Sequence, residues 1–328
     1  MLLKKFFKRL LIKVNRFCGY EIIDQNEFSF PSLGNKKYND LNIINEKSIV
    51  VPLGEVKITR KVKSLGIIVR TNSNIHISDQ NKKRIFNKDK LDYIEKSLKS
   101  LIVSINSFNQ KLKNFTINLT IIDQSNDANL LKKFNQIFSN TNLKVKIINF
   151  DKNEFKNEIN VDHSKDIFGN LSSLLKCFKI AKNNSDDLNL FLEDDYLHKE
   201  SLIEEMIMTY ERISSQLNTE LLLVPSDYPY LYMKERHTKV LAGSHRHWQT
   251  LDKILCSFMT SKKILDIYWE NFLLTCQNHN EPIEKYLNEI CEKEICLSPI
   301  PSLSLHMSNV NSIYGIPPFL DVKDEWNI

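Results

Sequence analysis

The stretch Leu188-Asn189-Leu190-Phe191-Leu192-Glu193-Asp194-Asp195-Tyr196 is a short apolar run that stops abruptly in three acids. Apolar residues without polar alternation suit a buried strand of a parallel sheet, and the open carboxyl end of such a strand is where ligands bind. Three adjacent carboxylates repel one another, so a cation between them and a substrate explains their clustering, and a divalent metal carrying a phosphate fits. Without such a ligand the same tripeptide is a strand end followed by a solvated turn. The surroundings decide between the two.

Working outward, Gly66-Ile67-Ile68-Val69-Arg70 reads as a second buried strand. Leu91, Ile94, Leu98, Leu101, Ile102 and Ile105 recur at helical spacing, and Ile117, Leu119 and Ile121 alternate as a strand that ends at Asp123. A helix over 129–138, a strand over 143–150 and a helix bearing Leu171, Leu174, Leu175 and Phe178 lead back to the strand at 188–192. Strands alternating with helices mean an α/β fold with a central, mostly parallel sheet flanked by helices. No internal repeat or low-complexity tract interrupts it.

The chain of 328 residues carries a net charge of +5, and residues 1–20 hold Lys4, Lys5, Lys8, Arg9, Lys13 and Arg16 without a single acid. The remainder is therefore close to neutral, which argues against a nucleic-acid binder with a basic face on its main domain. Leu2, Leu3, Phe6, Phe7, Leu10, Leu11, Val14 and Phe17 fall on one helical stripe opposite those bases, with Gly19 as a stop. The pattern predicts a basic amphipathic helix lying on an anionic membrane surface, with the protein peripheral on the cytoplasmic face. A helix docked on its own domain is the plainer alternative. Charges break the stripe, so it is no secretory signal, and no run of 18 apolar residues exists to span a membrane. Six dispersed cysteines without a CxxC pair read as free thiols. The pattern along the chain predicts a linker over 21–61, a main domain over 62–310 divided near residue 200, and a C-terminal tail over 311–328.

Three ordered motifs resemble nucleotide-sugar glycosyltransferases of the GT-A fold, in the style of glycosyltransferase family two. Thr120-Ile121-Ile122-Asp123-Gln124-Ser125-Asn126-Asp127 is similar to that family's strand ending in Asp and a Ser-x-Asp turn, which contacts the nucleotide. Phe168-Gly169-Asn170 resembles the turn ahead of the metal motif, and Glu193-Asp194-Asp195 matches the DXD position with Glu in the first place. More loosely, Cys256 to Lys263 resembles the strand-to-helix step beside the acceptor site. Pro301-Ser302-Leu303-Ser304-Leu305-His306 resembles a closing segment that delivers a histidine to the metal or diphosphate. The family's acceptor-side Glu-Asp pair is absent; Asn280-Glu281-Pro282-Ile283-Glu284 is its nearest substitute.

The resemblance implies transfer of a sugar from a nucleotide diphosphate sugar to a glycan or lipid-linked acceptor, inverting, in cell-surface polysaccharide or lipopolysaccharide synthesis. Such transfer needs charge neutralised on the departing diphosphate, which Mn2+ or Mg2+ does as a Lewis acid. Asp195 is the expected metal ligand, with His306 as a second whose imidazole favours manganese. Arg70, Asp123, Asp127, Asn170, Glu193 and Asp194 are expected around the nucleotide sugar, Asp194 as a brace for the loop. A carboxylate must take the acceptor's proton; Glu281 is the first candidate and Asp227 the rival, with Glu284 one turn beyond Glu281. Gly243-Ser244-His245-Arg246-His247-Trp248, if extended, sends His245 and His247 to one side and Arg246 and Trp248 to the other. It is read as an acceptor or phosphate subsite with Trp248 available to stack on a sugar; half a zinc site is the other reading, without a partner pair to support it. A sugar-nucleotide nucleotidyltransferase and a non-catalytic carbohydrate-binding or scaffold protein remain as alternatives, and hydrolysis of the donor would use the same site.

Overall fold

The computed structural model describes residues 2–20, 57–73, 86, 88–124, 127–139, 143–164, 166–308, 310 and 312–316. Helix α1 (Leu2–Phe17) is followed by strand β1 (Ser64–Thr71), α2 (Lys90–Lys111), β2 (Thr116–Asp123), α3 (Ala128–Phe138) and β3 (Val145–Asn149). Then come α4 (Asp166–Asn183), β4 (Leu188–Glu193), β5 (Tyr196–His198), α5 (Leu202–Leu217) and β6 (Leu221–Leu223). A hairpin of β7 (Val240–Ala242) and β8 (His247–Leu251) precedes β9 (Phe258–Ser261) and helices α6 (Lys262–Ile267), α7 (Trp269–Gln277) and α8 (Lys285–Cys291). The described chain closes with β10 (Ile295–Ile300) and β11 (Ser304–His306).

Nine strands form one sheet in the order β3-β2-β1-β4-β9-β6-β10-β8-β7, and β5 pairs with β11 in a separate ribbon. The β3-β2-β1-β4 half is parallel throughout, and β9 and β8 alone oppose the common direction. The expectation of a mostly parallel sheet flanked by helices is met. Period-2 alternation of apolar residues sends side chains to both faces. Leu65, Ile67, Val69, Leu119, Ile121 and Leu190 pack beneath α2, α3 and α5. Ile68, Ile122, Phe191 and Phe258 pack against α4, α6, α7 and α8. At the edge of α2 the buried hydroxyls of Ser100 and Ser104 accept the backbone N–H groups of His198 and Ile203, each at 3.0 Å, which fixes where β5 ends and α5 begins.

Because β2 and β3 lie on one side of β1 and β4 on the other, the strand order reverses between β1 and β4. Sheets of this kind open a crevice beyond the carboxyl ends at such a reversal. Arg70 and Glu193 are register partners on these two strands, so the reversal falls on the first of the three acids.

Three expected boundaries shift. Helix α4 starts at Asp166, so Phe168-Gly169-Asn170 belongs to its first turns rather than to a turn ahead of it, because buried Phe168 extends the helix's apolar face. Residues 57–61, expected in a linker, are pinned: Arg60 forks between Asp187 at 2.7 Å and Glu220 at 3.1 Å, and the N–H groups of Thr59 and Arg60 reach Ser215. Residues 312–316, expected in a tail, pack onto the domain, with the N–H of Tyr230 bonded to the Ile313 carbonyl at 3.0 Å. Residues 21–56 and 317–328 of those same segments lie outside the described residues. At the chain start, Gly19 takes a left-handed φ of 83° just past α1, the conformation that ends a helix at a glycine.

Candidate active site at the carboxyl end of the sheet

The three acids leave β4 in three directions. Glu193, still in the strand, is ion-paired with the Arg70 guanidinium, which also donates to the Asn170 side chain and, at 3.4 Å, to the Ser173 hydroxyl. Asp194 is ion-paired with Lys90, the first residue of α2, and accepts the Asn72 N–H at 3.0 Å. Burial pushes the Asp194 carboxyl up against the pull of Lys90. Asp194 thereby ties the β1 exit to α2.

Asp195 faces His306 from the β5–β11 ribbon, Oδ2 to Nε2 at 3.3 Å. The imidazole's other nitrogen, Nδ1, lies 2.9 Å from the carbonyl oxygen of Tyr314. A carbonyl only accepts, so Nδ1 carries a hydrogen and Nε2 is the nitrogen presented to Asp195. The ring is held flat by Tyr196, stacked at 4.7 Å and 15°, whose hydroxyl bonds that of Tyr228 at 2.6 Å. Burial works against charge on Asp195, yet His306, Lys90 and the Ser308 hydroxyl outweigh it and hold its carboxyl well below the usual range. For His306 burial is likewise the largest influence, but Asp195 more than offsets it and raises the imidazole.

Among the described residues no group of three or more His, Cys, Asp or Glu side chains converges to hold a metal ion. Asp195 Oδ2 and Nε2 of His306 make a two-donor set. Hard divalent cations commonly bind through one or two protein groups plus substrate phosphates, so the pair fits a metal completed by a diphosphate and does not fit one caged by protein alone.

Glu284 is the site's fourth carboxylate, and sequence reasoning passed it over for Glu281. Glu281 is exposed, whereas Glu284 turns inward at the start of α8 and accepts a hydrogen bond from Cys256 Sγ at 3.4 Å. Burial pushes its carboxyl up, the negative charge of Glu193 adds to this, and Arg70 opposes it. Glu284 is therefore within electrostatic reach of the Arg70–Glu193 pair. Asp227 sits beyond the end of β6, fully buried, accepting from the Tyr232 hydroxyl at 2.6 Å and Gln249 Nε2 at 2.8 Å. Burial pushes it up to about 6 against those two bonds.

The remaining candidates divide. Asp123 ends β2 buried, taking the Thr71 hydroxyl at 3.1 Å. Asp127 caps α3 through the Asn129 N–H at 2.8 Å and takes the Ser73 hydroxyl at 3.1 Å. Within the expected subsite at residues 243–248, the stacking role of Trp248 is corrected. Residues 243–246 form a hairpin loop around buried Glu205, which accepts the N–H groups of His245 and Arg246 at 2.8 and 3.1 Å and the indole N–H of Trp248 at 3.1 Å. Trp248 is 0% exposed, so it has no face for a sugar. Arg246 turns to the Pro301 carbonyl at 2.9 Å and His245 to Glu205 at 3.2 Å, while His247 opens β8 in register with Ile300. That places the cluster four strands from β4, roughly 19 Å along the sheet.

No family model and no curated protein matches the chain. Among solved structures it is similar to the crystal structure of S. aureus TarS 1-349, at 11% identity over 66% of this chain and 57% of that one, with a TM-score of 0.35. It spans 29% of a longer S. aureus TarS chain. It is similar to the galactosyltransferase LgtC in complex with donor and acceptor sugar analogs, at 11% identity over 69% and 70% with a TM-score of 0.33. It is also similar to UTP-bound UGPase from Acinetobacter baumannii, at 10% identity over 74% and 88% with a TM-score of 0.39.

Proposed function

We propose that the protein is a glycosyltransferase that moves a sugar from a nucleotide diphosphate sugar to a glycan or lipid-linked acceptor, with Mn2+ or Mg2+ held by Asp195 and His306. The observation that carries this reading is the Asp195–His306 pair beside the β1/β4 reversal, with the second imidazole nitrogen anchored on the Tyr314 carbonyl. An anchored second nitrogen is what a metal-ligating histidine requires. When bound, the cation supplies Lewis-acid neutralisation of the diphosphate.

The protein's own groups do the rest. Arg70, fixed by Asn170 and Glu193, places a permanent cation at the crevice, and Lys90 adds a second one behind Asp194. In the transfer, the acceptor oxygen forms a bond to the anomeric carbon as the bond from that carbon to the diphosphate oxygen breaks, and the electron pair leaves with the diphosphate. Glu284 takes the acceptor's proton. Its raised proton affinity suits a general base, and the charges of Glu193 and Arg70 both act on it. Asp227 has both carboxylate oxygens engaged by Tyr232 and Gln249, so it orders the crevice wall.

Helix α1 supports a membrane-surface location: Leu10, Leu11, Val14 and Phe17 are exposed on it, and the flanking bases suit anionic lipid. No helix among the described residues is long and apolar enough to cross a membrane. Flotation with anionic liposomes tests this, and a chain lacking residues 1–20 that floats as well as the full chain refutes it.

Calorimetry with a panel of nucleotide sugars, with and without Mn2+, tests the activity. The expected result is binding to at least one donor that Mn2+ strengthens and Asp195→Ala abolishes. Binding that ignores both the metal and the substitution overturns the proposal.

A further inference from the structure

We propose that the amino-terminal half of the sheet's α4 face is a second binding site, for a sugar-sized ligand that bears a phosphate or similar oxyanion. The observation behind it is a contrast between the two faces of the same strands. Toward α2 and α5, β1, β2 and β4 present Leu65, Ile67, Leu119, Leu188 and Leu190, all buried and apolar. Toward α4 they present Asn118, Gly66 and Asn189, which are register partners in one row, and then Thr120, paired with Lys146 of the edge strand. A parallel sheet face under a helix is ordinarily apolar. This one becomes so at Ile68 and Phe191, in the row of Thr120, and at Ile122 beyond.

Of these, Asn118, Gly66 and Thr120, with Ile68 beside them, floor an open cavity of about 790 Å3, bounded by the C-terminal half of α4 and the α4–β4 loop. That volume lies in the range of small-molecule sites, roughly 300–1,000 Å3. Gly66 keeps the floor low: a Cβ there would fall 2.6 Å from Asp186 Oδ2 and 3.0 Å from both Asn184 Nδ2 and Asn189 Oδ1. Asn189 is fully buried outside the lining, and its Oδ1 accepts from Asn184, which does line the cavity, at 2.8 Å.

The rim sets the ligand's charge. Lys144, Lys146, Lys176 and Lys179 line the cavity. Lys176 is paired with Glu154 at 2.7 Å and Lys179 with Glu158 at 2.6 Å. Among the described residues Lys144 and Lys146 have no acidic partner. Asp186, the cavity's other acid, accepts from Asn118 at 2.7 Å. Cations therefore exceed acids on the rim, above a floor of amides and a hydroxyl that suit sugar hydroxyls. Lysines on an edge strand also guard against edge-to-edge pairing, but that role needs neither the cavity nor the polar floor.

The test is calorimetry on the full chain with glucose 6-phosphate, glucose and inorganic phosphate, using wild type, Lys144→Gln/Lys146→Gln and Asp195→Ala. The proposal expects glucose 6-phosphate to bind more tightly than glucose or phosphate. The lysine pair should weaken it about tenfold, the size of one lost charge-assisted hydrogen bond, and Asp195→Ala should leave it unchanged. Thr120→Val, which removes only the floor hydroxyl, should weaken it by a few-fold. Thermal melts of all variants establish that they are folded. No binding by any of the three probes overturns the proposal, as does binding that survives the lysine substitutions or is lost in Asp195→Ala.

Discussion

The two ends of β1 and β4 show opposite solutions to the same problem of placing polar groups on a buried sheet. At the carboxyl end every acid of the cluster has met a basic group: Glu193 with Arg70, Asp194 with Lys90, and Asp195 with His306. At the amino end Asn184 donates to the Asn189 amide and Asn118 to the Asp186 carboxyl group, and among the described residues two lysines on the rim have no acidic partner. The first arrangement is electrostatically preorganised, and the second holds its polar groups by fewer ionic contacts. A site whose charges are locked in pairs is suited to stabilising developing charge, because little reorganisation remains when the reaction begins. A site of amides is suited to binding without chemistry.

The largest expected effect breaks the carboxyl end. Arg70→Met leaves Glu193 without its cation in a crevice where their side chains are 11% and 27% exposed. Removing one member of such a buried pair costs about 3–4 kcal/mol. Urea denaturation should show this as a lowered midpoint, and Arg70→Met/Glu193→Gln should recover more than half of it. Lys146→Met at the other end should cost less than about 0.5 kcal/mol, as exposed positions do. Equal losses at the two ends would collapse the contrast between them.

Asp227 sharpens the comparison, because at the carboxyl end it is held only by hydroxyl and amide donors. Among the described residues it forms no ion pair; Arg236, the nearest influence of that kind, is paired with Asp252 at 3.8 Å. Its carboxyl is pushed up to about 6 in the folded protein from an ordinary 3.8. The folded state therefore binds the proton more tightly than the unfolded one. This contribution to stability is complete below about pH 4 and is lost as pH rises through 6. The shift corresponds to at most about 3 kcal/mol. Unfolding free energies at pH 4, 5, 6 and 7.5 should fall more steeply in wild type than in Asp227→Asn. Parallel curves would show that its proton affinity is the same in both states.

What the sequence disclosed follows the range of the interactions involved. Strands β1, β2 and β4 were legible because alternation and apolar runs are local signals, and Glu193 to Asp195 stood out because acids ended a strand. Glu284 was not separable from Glu281, since the start of α8, which turns one inward and leaves the other in solvent, depends on packing against Cys256 and its neighbours. Trp248 among three bases resembled a binding platform; its burial depends on Glu205, 43 residues away, collecting the loop's N–H groups. Arg60 looked like linker because its partners Asp187 and Glu220 lie 127 and 160 residues on. The Tyr314 carbonyl carries no side-chain signal at all. The amino-end cavity was hidden for a related reason: Gly66, Asn118 and Lys146 stand on three different strands, and only the pairing of those strands brings them together.

The smallest effect probes how adaptable the amino end is. Gly66→Ala places a methyl group where three polar side chains already converge, the tightest approach being 2.6 Å to Asp186 Oδ2. Overpacking in a rigid core costs about 1–3 kcal/mol, while replacing a strand glycine recovers about 0.5–1 kcal/mol of backbone entropy. If the Asn184–Asp186 loop can swing outward into the open cavity, the two nearly cancel, and the variant should melt within a few degrees of wild type. The same methyl group would still raise the cavity floor, so glucose 6-phosphate binding should weaken although stability does not change. A melting point lowered by more than about 8 °C would instead show that the amides are locked as firmly as the ion pairs at the other end.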